Sequence, residues 1–393
     1  MDVKLLFVTL CPLEVNTSVT KSNLGLLKGF EGLGYDITIL MPGISKDVYY
    51  FDNSIDLSRF KIVRINNESL GQTIANMQSS SSKLKTFLFK QMRSVYNQVS
   101  LFDRSKQYIA QAPKLPIYDE YYDIVISTSD PKTSHMFVDK MIQSGLKYGK
   151  WIQHWGDPLL GDVSRRNIYP AWYIKRVERN IIRNADSVIY VSPFTADSQK
   201  VNHPMHASKI NFAPLMCDDD DRTEKLVTLE GKTKVKLAFV GDYNSQTRDI
   251  MPLYEACKKM NNVDLTIAGN TDLTLESMDN IHVNKRVPQA QAKEMEQNAD
   301  VIISVGNRFG TQIPGKIYYL ASTDKIILIT MEDDNKAKMK EYFDIFGRYE
   351  TCDNTTQAII VAIDSIIRKK TYSFTTPEKL LPVNIVKSII ETV

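Results

Sequence analysis

The sequence predicts an α/β protein made of two doubly wound units, each a parallel sheet with helices packed on it. Three observations carry this expectation. Apolar strand runs alternate with helical periodicity along almost the whole chain. The alternation starts again at 235–241, after a polar stretch rich in aspartate. The run Asp300-Val301-Ile302-Ile303-Ser304-Val305 passes through a Gly/Thr/Pro/Gly loop into Ile317-Tyr318-Tyr319-Leu320-Ala321, which reads as a buried parallel strand turning into a helix.

In the first unit, strands are expected at 4–10, 36–41, 122–128, 150–154 and 187–192. A helix over 22–34 carries Leu24, Leu27 and Phe30 at helical spacing and stops at Gly34. A loop containing Pro131 leads to a helix near 134–144, so His135 begins a helix. In the second unit the strands are 235–241, 264–268, 281–284, 300–305 and 325–330, with helices near 249–260, 288–298, 315–322 and 355–368. A short amphipathic helix is expected at 385–390. Between the units, Asp218-Asp219-Asp220-Asp221 reads as a solvated linker, because four consecutive like charges cannot all face one cation. The boundary is placed near 220–232.

The chain has 393 residues, 43% hydrophobic and 24% charged, an ordinary globular composition long enough for two cores. A net charge of +3 is nearly balanced and argues against a nucleic-acid partner. Cys11, Cys217, Cys257 and Cys352 form no CxxC pair, which suits a reducing cytoplasm and argues against a disulfide framework or zinc site. Cys11 reads as a small buried residue. Residues 1–10 are too short and too strand-like for a signal peptide. No run reaches the roughly 18–20 apolar residues that span a bilayer. The expected location is the cytoplasm, with peripheral attachment to the inner membrane face as an option. Ser79-Ser80-Ser81-Ser82 reads as a mobile loop. The segment 83–93 after it is basic and amphipathic, and is weighed as a contact with an anionic membrane against a solvated helix. A second basic helix at about 169–183 carries Lys175, Arg176, Arg179 and Arg183 beside Trp172, Tyr173 and Ile174; the solvated reading is preferred there.

The loop Gly310-Thr311-Gln312-Ile313-Pro314-Gly315-Lys316 has anion-binding geometry. Backbone N–H groups and the positive end of a helix dipole converge there, and Lys316 adds a full charge. The expected ligand is a phosphate or diphosphate; the alternative is an ordinary strand-to-helix loop. His203 and His206 are three apart, but Pro204 breaks any shared helical face and no third ligand lies near, so a surface loop is expected and no bound metal.

Four segments together resemble the GT-B glycosyltransferases, specifically the retaining GT4-like group. The run 122–135, with Tyr122-Asp123-Ile124-Val125-Ile126-Ser127 leading to Pro131 and His135, is similar to that family's strand and loop ending in His. Trp151-Ile152-Gln153-His154-Trp155-Gly156-Asp157-Pro158 is similar to its strand-end element. Val240-Gly241-Asp242-Tyr243, continuing through Arg248 to Ala256, resembles the Gly-rich entry and first helix of the donor domain. Pro314-Gly315-Lys316-Ile317-Tyr318-Tyr319-Leu320-Ala321 resembles the "PxKxxEYLA" signature. The likeness covers nearly the whole chain.

The resemblance implies two Rossmann-like domains facing a cleft. The N-terminal domain (1–225, with a returning C-terminal segment at about 375–393) would bind acceptor, and the C-terminal domain (232–372) would bind the sugar donor. Hinges are then expected near 220–232 and 370–376. The implied reaction moves a sugar from a UDP- or GDP-linked donor to a glycan or lipid-linked acceptor, in the making of a bacterial-type surface polysaccharide. No metal or cofactor is implied: cations and helix N-termini answer the charge on the leaving diphosphate. Arg248 and Lys316 would clamp that diphosphate, assisted by Gly241, Gly315 and the backbone N–H groups of Gly310 and Thr311. The loop at Val287 would hold the base through backbone groups. His154 would contact the donor sugar or transition state. Asp157 would serve as acceptor base or simply cap a turn; in a retaining enzyme the leaving phosphate itself can take the proton.

The family's usual Glu is Tyr319 here, and its earlier Glu falls near Thr311. A Tyr cannot offer two carboxylate oxygens to ribose hydroxyls. Asp242 stands where the family has Arg, and Arg286 where Gly is common. Two rivals stay open: a nucleotide-sugar epimerase of the same fold, and a non-catalytic GT-B partner that binds glycan or an active transferase.

Overall fold

The structure, a computed structural model, describes residues 3–15, 17–44, 51–66, 100–163, 168–218, 221–332 and 335–393. The serine run 79–82, the basic segment 83–93, and Asp219 and Asp220 lie outside the described residues. The chain divides into two compact units, Met1–Met216 with Pro382–Val393, and Cys217–Leu381.

The first unit is built on β1 (Lys4–Val8), β2 (Asp36–Pro42), β3 (Lys61–Ile65), β4 (Tyr121–Thr128), β5 (Lys147–Trp155), β6 (Ser187–Tyr190) and β7 (Ile210–Phe212). They form one parallel sheet in the order β3-β2-β1-β4-β5-β6-β7. Strand side chains alternate between faces, and the core shows it. Leu6, Val8 and Val125 belong to one hydrophobic cluster, while Leu5, Phe7, Ile124 and Ile126 belong to the cluster on the other face. Burial on both sides is why β1 reads as an unbroken apolar run.

The helix Ser18–Gly32 starts four residues before the expected 22, because the Thr17 hydroxyl accepts the Thr20 N–H and caps it there. Gly34, at φ +77°, turns the chain out of it. The C-terminal helix Pro382–Ile390 packs on this helix: a Cβ at Gly29 would lie 2.4 Å from the Pro382 carbonyl oxygen.

The second unit contains β8 (Lys225–Thr228), β9 (Val235–Val240), β10 (Val263–Ala268), β11 (Ile281–Asn284), β12 (Val301–Val305), β13 (Ile326–Met331), β14 (Glu350–Asp353) and β15 (Thr371–Phe374). Six of them form a parallel sheet ordered β11-β10-β9-β12-β13-β14. Both sheets run outward in two directions from a first strand, the doubly wound pattern.

Several short elements escape the sequence reading: β3, β7, β14, and the helices Pro193–Asn202 and Lys336–Asp344. The stretch read as a polar linker contains β8, and the second expected hinge contains β15. These two strands pair antiparallel, Lys225 with Phe374 and Thr228 with Thr371, so both are fixed within one ribbon of the second unit. The helix expected over 315–322 is shorter. It is α-helical only over Lys316–Tyr319 and closes as a 3-10 turn over Leu320–Ser322.

Candidate functional site

In the second sheet the strand order reverses between β9 and β12, and ligands of open α/β sheets bind outside the carboxyl ends at such a point. The loops leaving these two strands carry Gly241, Arg248, Gly310, Thr311, Gly315 and Lys316. The loop after β9 is folded by Asn244, whose side-chain oxygen accepts the N–H groups of Gln246 and Thr247 at 3.0 and 2.7 Å. Asn244 and Arg248 also exchange backbone hydrogen bonds. Arg248 is thereby aimed back at the strand ends. Its Nη1 donates to the Asp242 carbonyl oxygen at 3.2 Å and its Nη2 to Asn307 Oδ1 at 3.0 Å. Asn307 Nδ2 in turn donates to the Gln312 carbonyl oxygen at 3.0 Å. One amide therefore ties Arg248 to the 310–316 loop.

The other cations nearby already have acidic partners. Lys316 Nζ pairs with Glu296 and donates to the Val240 carbonyl oxygen. Arg286 lies 3.4 Å from Asp242 Oδ2, which brings the loop containing Val287 to the end of β9. Arg308 pairs with Glu332 at 2.9 Å and donates to the Ser245 carbonyl oxygen. Arg248 differs: its Nη1 and Nη2 bond neutral oxygens, and its Nε is buried with no hydrogen-bond partner among the described residues. Burial lowers its pKa, against the pull of Asp242. A half-buried guanidinium with a spare N–H is suited to an anion, because no carboxylate has to be displaced.

The short helix after the loop limits the dipole contribution, since few aligned peptides sum there. It is anchored from the side by the Tyr349 hydroxyl, which donates to the Ile317 carbonyl oxygen at 3.1 Å. Arg348 donates to the carbonyl oxygens of Ala321, Thr323 and Lys325, closing the end of the 3-10 turn. Tyr319 is the last residue of the helix and is buried; that burial, then the charge of Asp218, pushes its phenol pKa up, so it stays a neutral hydroxyl.

In the first unit the strand order reverses between β1 and β4. His154 lies in β5 beside Thr128, and it is only 1% exposed. Burial pulls its pKa down to about 4, and its Nε2 has no hydrogen-bond partner among the described residues. His135 is also fully enclosed. It stacks on Trp155 with ring centroids 4.4 Å apart, and its Nδ1 lies 2.8 Å from Ser127 Oγ. Trp151 Nε1 donates to the same Ser127 oxygen at 2.9 Å.

Asp157 is half-buried in the loop after β5 and acts electrostatically on Lys132. Lys132 is itself buried, with its Nζ 2.9 Å from Asp130 Oδ1 and 3.3 Å from Asp162 Oδ2. Burial alone would lower its pKa; the three carboxylates more than offset that and hold it charged.

His203 is a correction. The expected surface loop holds only for its neighbours, because His203 is buried with its Nε2 3.2 Å from Glu178 Oε2. Glu178 Oε1 also accepts the Leu159 N–H at 2.6 Å, so this inward-facing acid fixes the 156–163 loop from beneath.

Asn307, Arg308 and Lys132 were missed by the sequence reading. Asn307-Arg308 follows the apolar strand β12 closely, and Lys132 follows β4, so a polar residue just past a buried parallel strand was the available signal. Glu296 as the partner of Lys316 left no local signal.

No protein-family profile matches the chain, and no curated protein sequence matches it. Solved structures do. Sucrose-phosphate synthase from Thermosynechococcus elongatus aligns with 100% of this chain and 95% of its own, at 11% identity and a TM-score of 0.57. TarM aligns with 100% of this chain and 95% of its own, at 10% identity and 0.56. HepE from Anabaena, in complex with UDP-glucose, aligns with 99% and 95%, at 9% identity and 0.53. At such identities the likeness is one of fold. Two Rossmann-like units matched along their full length by these neighbours define the GT-B fold.

Proposed function

We propose that the chain is a glycosyltransferase that moves a sugar, of the hexosyl type, from a nucleotide donor. Cys217–Leu381 binds the donor, UDP- or GDP-linked, and the first unit binds a glycan or lipid-linked acceptor for surface polysaccharide synthesis. The reaction is retaining and GT4-like, without a metal or other cofactor, in the cytoplasm or at the inner membrane face, where 83–93 gives peripheral contact. One observation carries the reading: Arg248 and the 310–316 loop converge through Asn307 outside β9 and β12. The full-length fold likeness to glycosyltransferases, one of them holding UDP-glucose, supports it.

Arg248 meets the diphosphate first, because its Nε is spare. Lys316 joins it by exchanging Glu296 for phosphate. Gly241, Gly310, Thr311 and Gly315 let the backbone approach, Val287 flanks the base, and the neutral Tyr319 hydroxyl takes the ribose position in place of a carboxylate. As phosphate–sugar cleavage builds negative charge on the leaving oxygen, these cations stabilise it. In the first unit Asp157 orients the acceptor hydroxyl. His154, neutral and enclosed, shapes the sugar side of that site.

The test is calorimetric titration with UDP and GDP. Micromolar binding of one of them is expected, weakened at least tenfold in Arg248→Ala and in Lys316→Ala, in line with about 1.5–3 kcal/mol for a hydrogen bond to a charged group. If neither nucleotide binds, the donor assignment is wrong and the non-catalytic partner reading takes its place.

A further inference from the structure

The helix Ala171–Ile182 divides its residues sharply between two faces. Ile174, Glu178, Ile181 and Ile182 are buried. Trp172, Arg176, Arg179 and Arg183 fall roughly 145° away on average at about 100° per residue, and all four are exposed. Trp172 is 67% exposed, on a chain whose other two tryptophans, Trp151 and Trp155, are fully enclosed. Its ring meets Tyr173 edge to face, with centroids 5.9 Å apart, and Tyr173 packs on Tyr169. Ile168 is also exposed just before the helix.

The exposed charges carried by this helix are all positive. Between Ile168 and Ala185 the only acid is Glu178, and it points inward to His203. A second element extends the same patch. Lys209 Nζ donates to the Arg183 and Ala185 carbonyl oxygens at 2.7 and 2.8 Å, which places the 204–209 turn against the C-terminal end of this helix. That turn exposes Met205, and the helix before it exposes Val201. Exposed apolar side chains and cations thus occur together on the helix and on the turn beside its end.

We propose that this surface docks the first unit on an anionic lipid bilayer. Arginines attract the negative headgroups, and an exposed Trp–Tyr pair sits at headgroup depth, where an amphipathic ring finds apolar chains on one side and water on the other. A soluble anionic glycan would satisfy the arginines and stack on Trp172 but leave the exposed Ile168, Val201 and Met205 in water; a bilayer covers all of them. The inference concerns a segment other than 83–93 and does not depend on the donor reading.

Trp172 is its own reporter, since Trp151 and Trp155 are enclosed and stay constant while the fold is intact. The full chain is titrated with vesicles of phosphatidylcholine containing about 30 mol% phosphatidylglycerol, and with phosphatidylcholine alone. The expected result is a blue shift of emission and quenching by brominated lipid chains with the anionic vesicles only, both weakened at about 0.5 M salt. Trp172→Phe should still co-sediment with the vesicles but lose the shift. Reversing Arg176, Arg179 and Arg183 to Glu should lower vesicle affinity on the order of a hundredfold or more.

Any one of several results would overturn the proposal. They are no shift with anionic vesicles, an equal shift with neutral ones, undiminished binding of the charge-reversed chain, or a shift produced by heparin and not by vesicles. The last would mark the face as a polyanion site. A shift that grows with protein concentration without vesicles would likewise overturn it, in favour of self-association.

Discussion

Arg248 and Lys316 are both cations at the end of β9, yet they stand in different states. Lys316 is held by a carboxylate and a carbonyl oxygen, while Arg248 is held by neutral oxygens and keeps a buried N–H to spare. A sequence shows both as positive residues in a loop and cannot rank them, because the ranking depends on Glu296 and Asn307. His154 makes the same point. It was legible as a strand-end histidine, but its enclosure was not. With a folded pKa of about 4 against about 6.5 unfolded, its neutral form is the one the fold favours. The corresponding stability is complete above pH 6.5 and is lost as the pH falls toward 4. Between pH 7.5 and pH 5 this one group should remove about 2 kcal/mol. Urea unfolding of the wild type and His154→Asn at both pH values should show that difference between the two chains; equal pH dependence would place the ring in water.

Among the elements, the long helices and central strands were legible, since each repeats its own period several times. The 3-10 turn after Tyr319 was not, because its end is set by Arg348, which bonds three carbonyl oxygens from another part of the chain. Glycines at the strand ends are a further case. A Cβ at Gly269 would sit 2.0 Å from the Gly241 carbonyl oxygen, so the loops after β10 and β9 touch backbone to backbone. Gly269→Ala must push that contact apart. The expected cost is about 1–3 kcal/mol, read as a melting point lowered by several degrees, together with weaker nucleotide binding. Gly43→Ala, where the nearest atom is 3.9 Å away, is the control and should melt like the wild type.

For the whole molecule, the decisive feature is that the first unit is completed by the end of the chain. Ile385, Val386 and Ile389 are buried in the same cluster as Leu26, Leu27 and Phe30. At about 1.5–3 kcal/mol each, their loss is comparable with the entire stability of a typical domain. A chain ended at Leu381 should therefore lose the cooperative unfolding of its first unit. All three tryptophans lie in that unit, so their emission reports on it alone. Native-like emission and an unchanged melt in the shortened chain would show the last helix to be dispensable.

The sequence by itself determined the two α/β units, the identity of most central strands and the loops that carry the candidate donor residues. Those features are written in neighbouring residues: an apolar run, a period, a glycine or proline that stops it. Only the tertiary structure decided which side chains meet. Arg248 finds Asn307 across 59 positions and His203 finds Glu178 across 25, while two apparent linkers pair as β8 and β15. Such pairs leave no periodic trace, because each partner is locally unremarkable and the contact exists only once the sheet has set the distance between them.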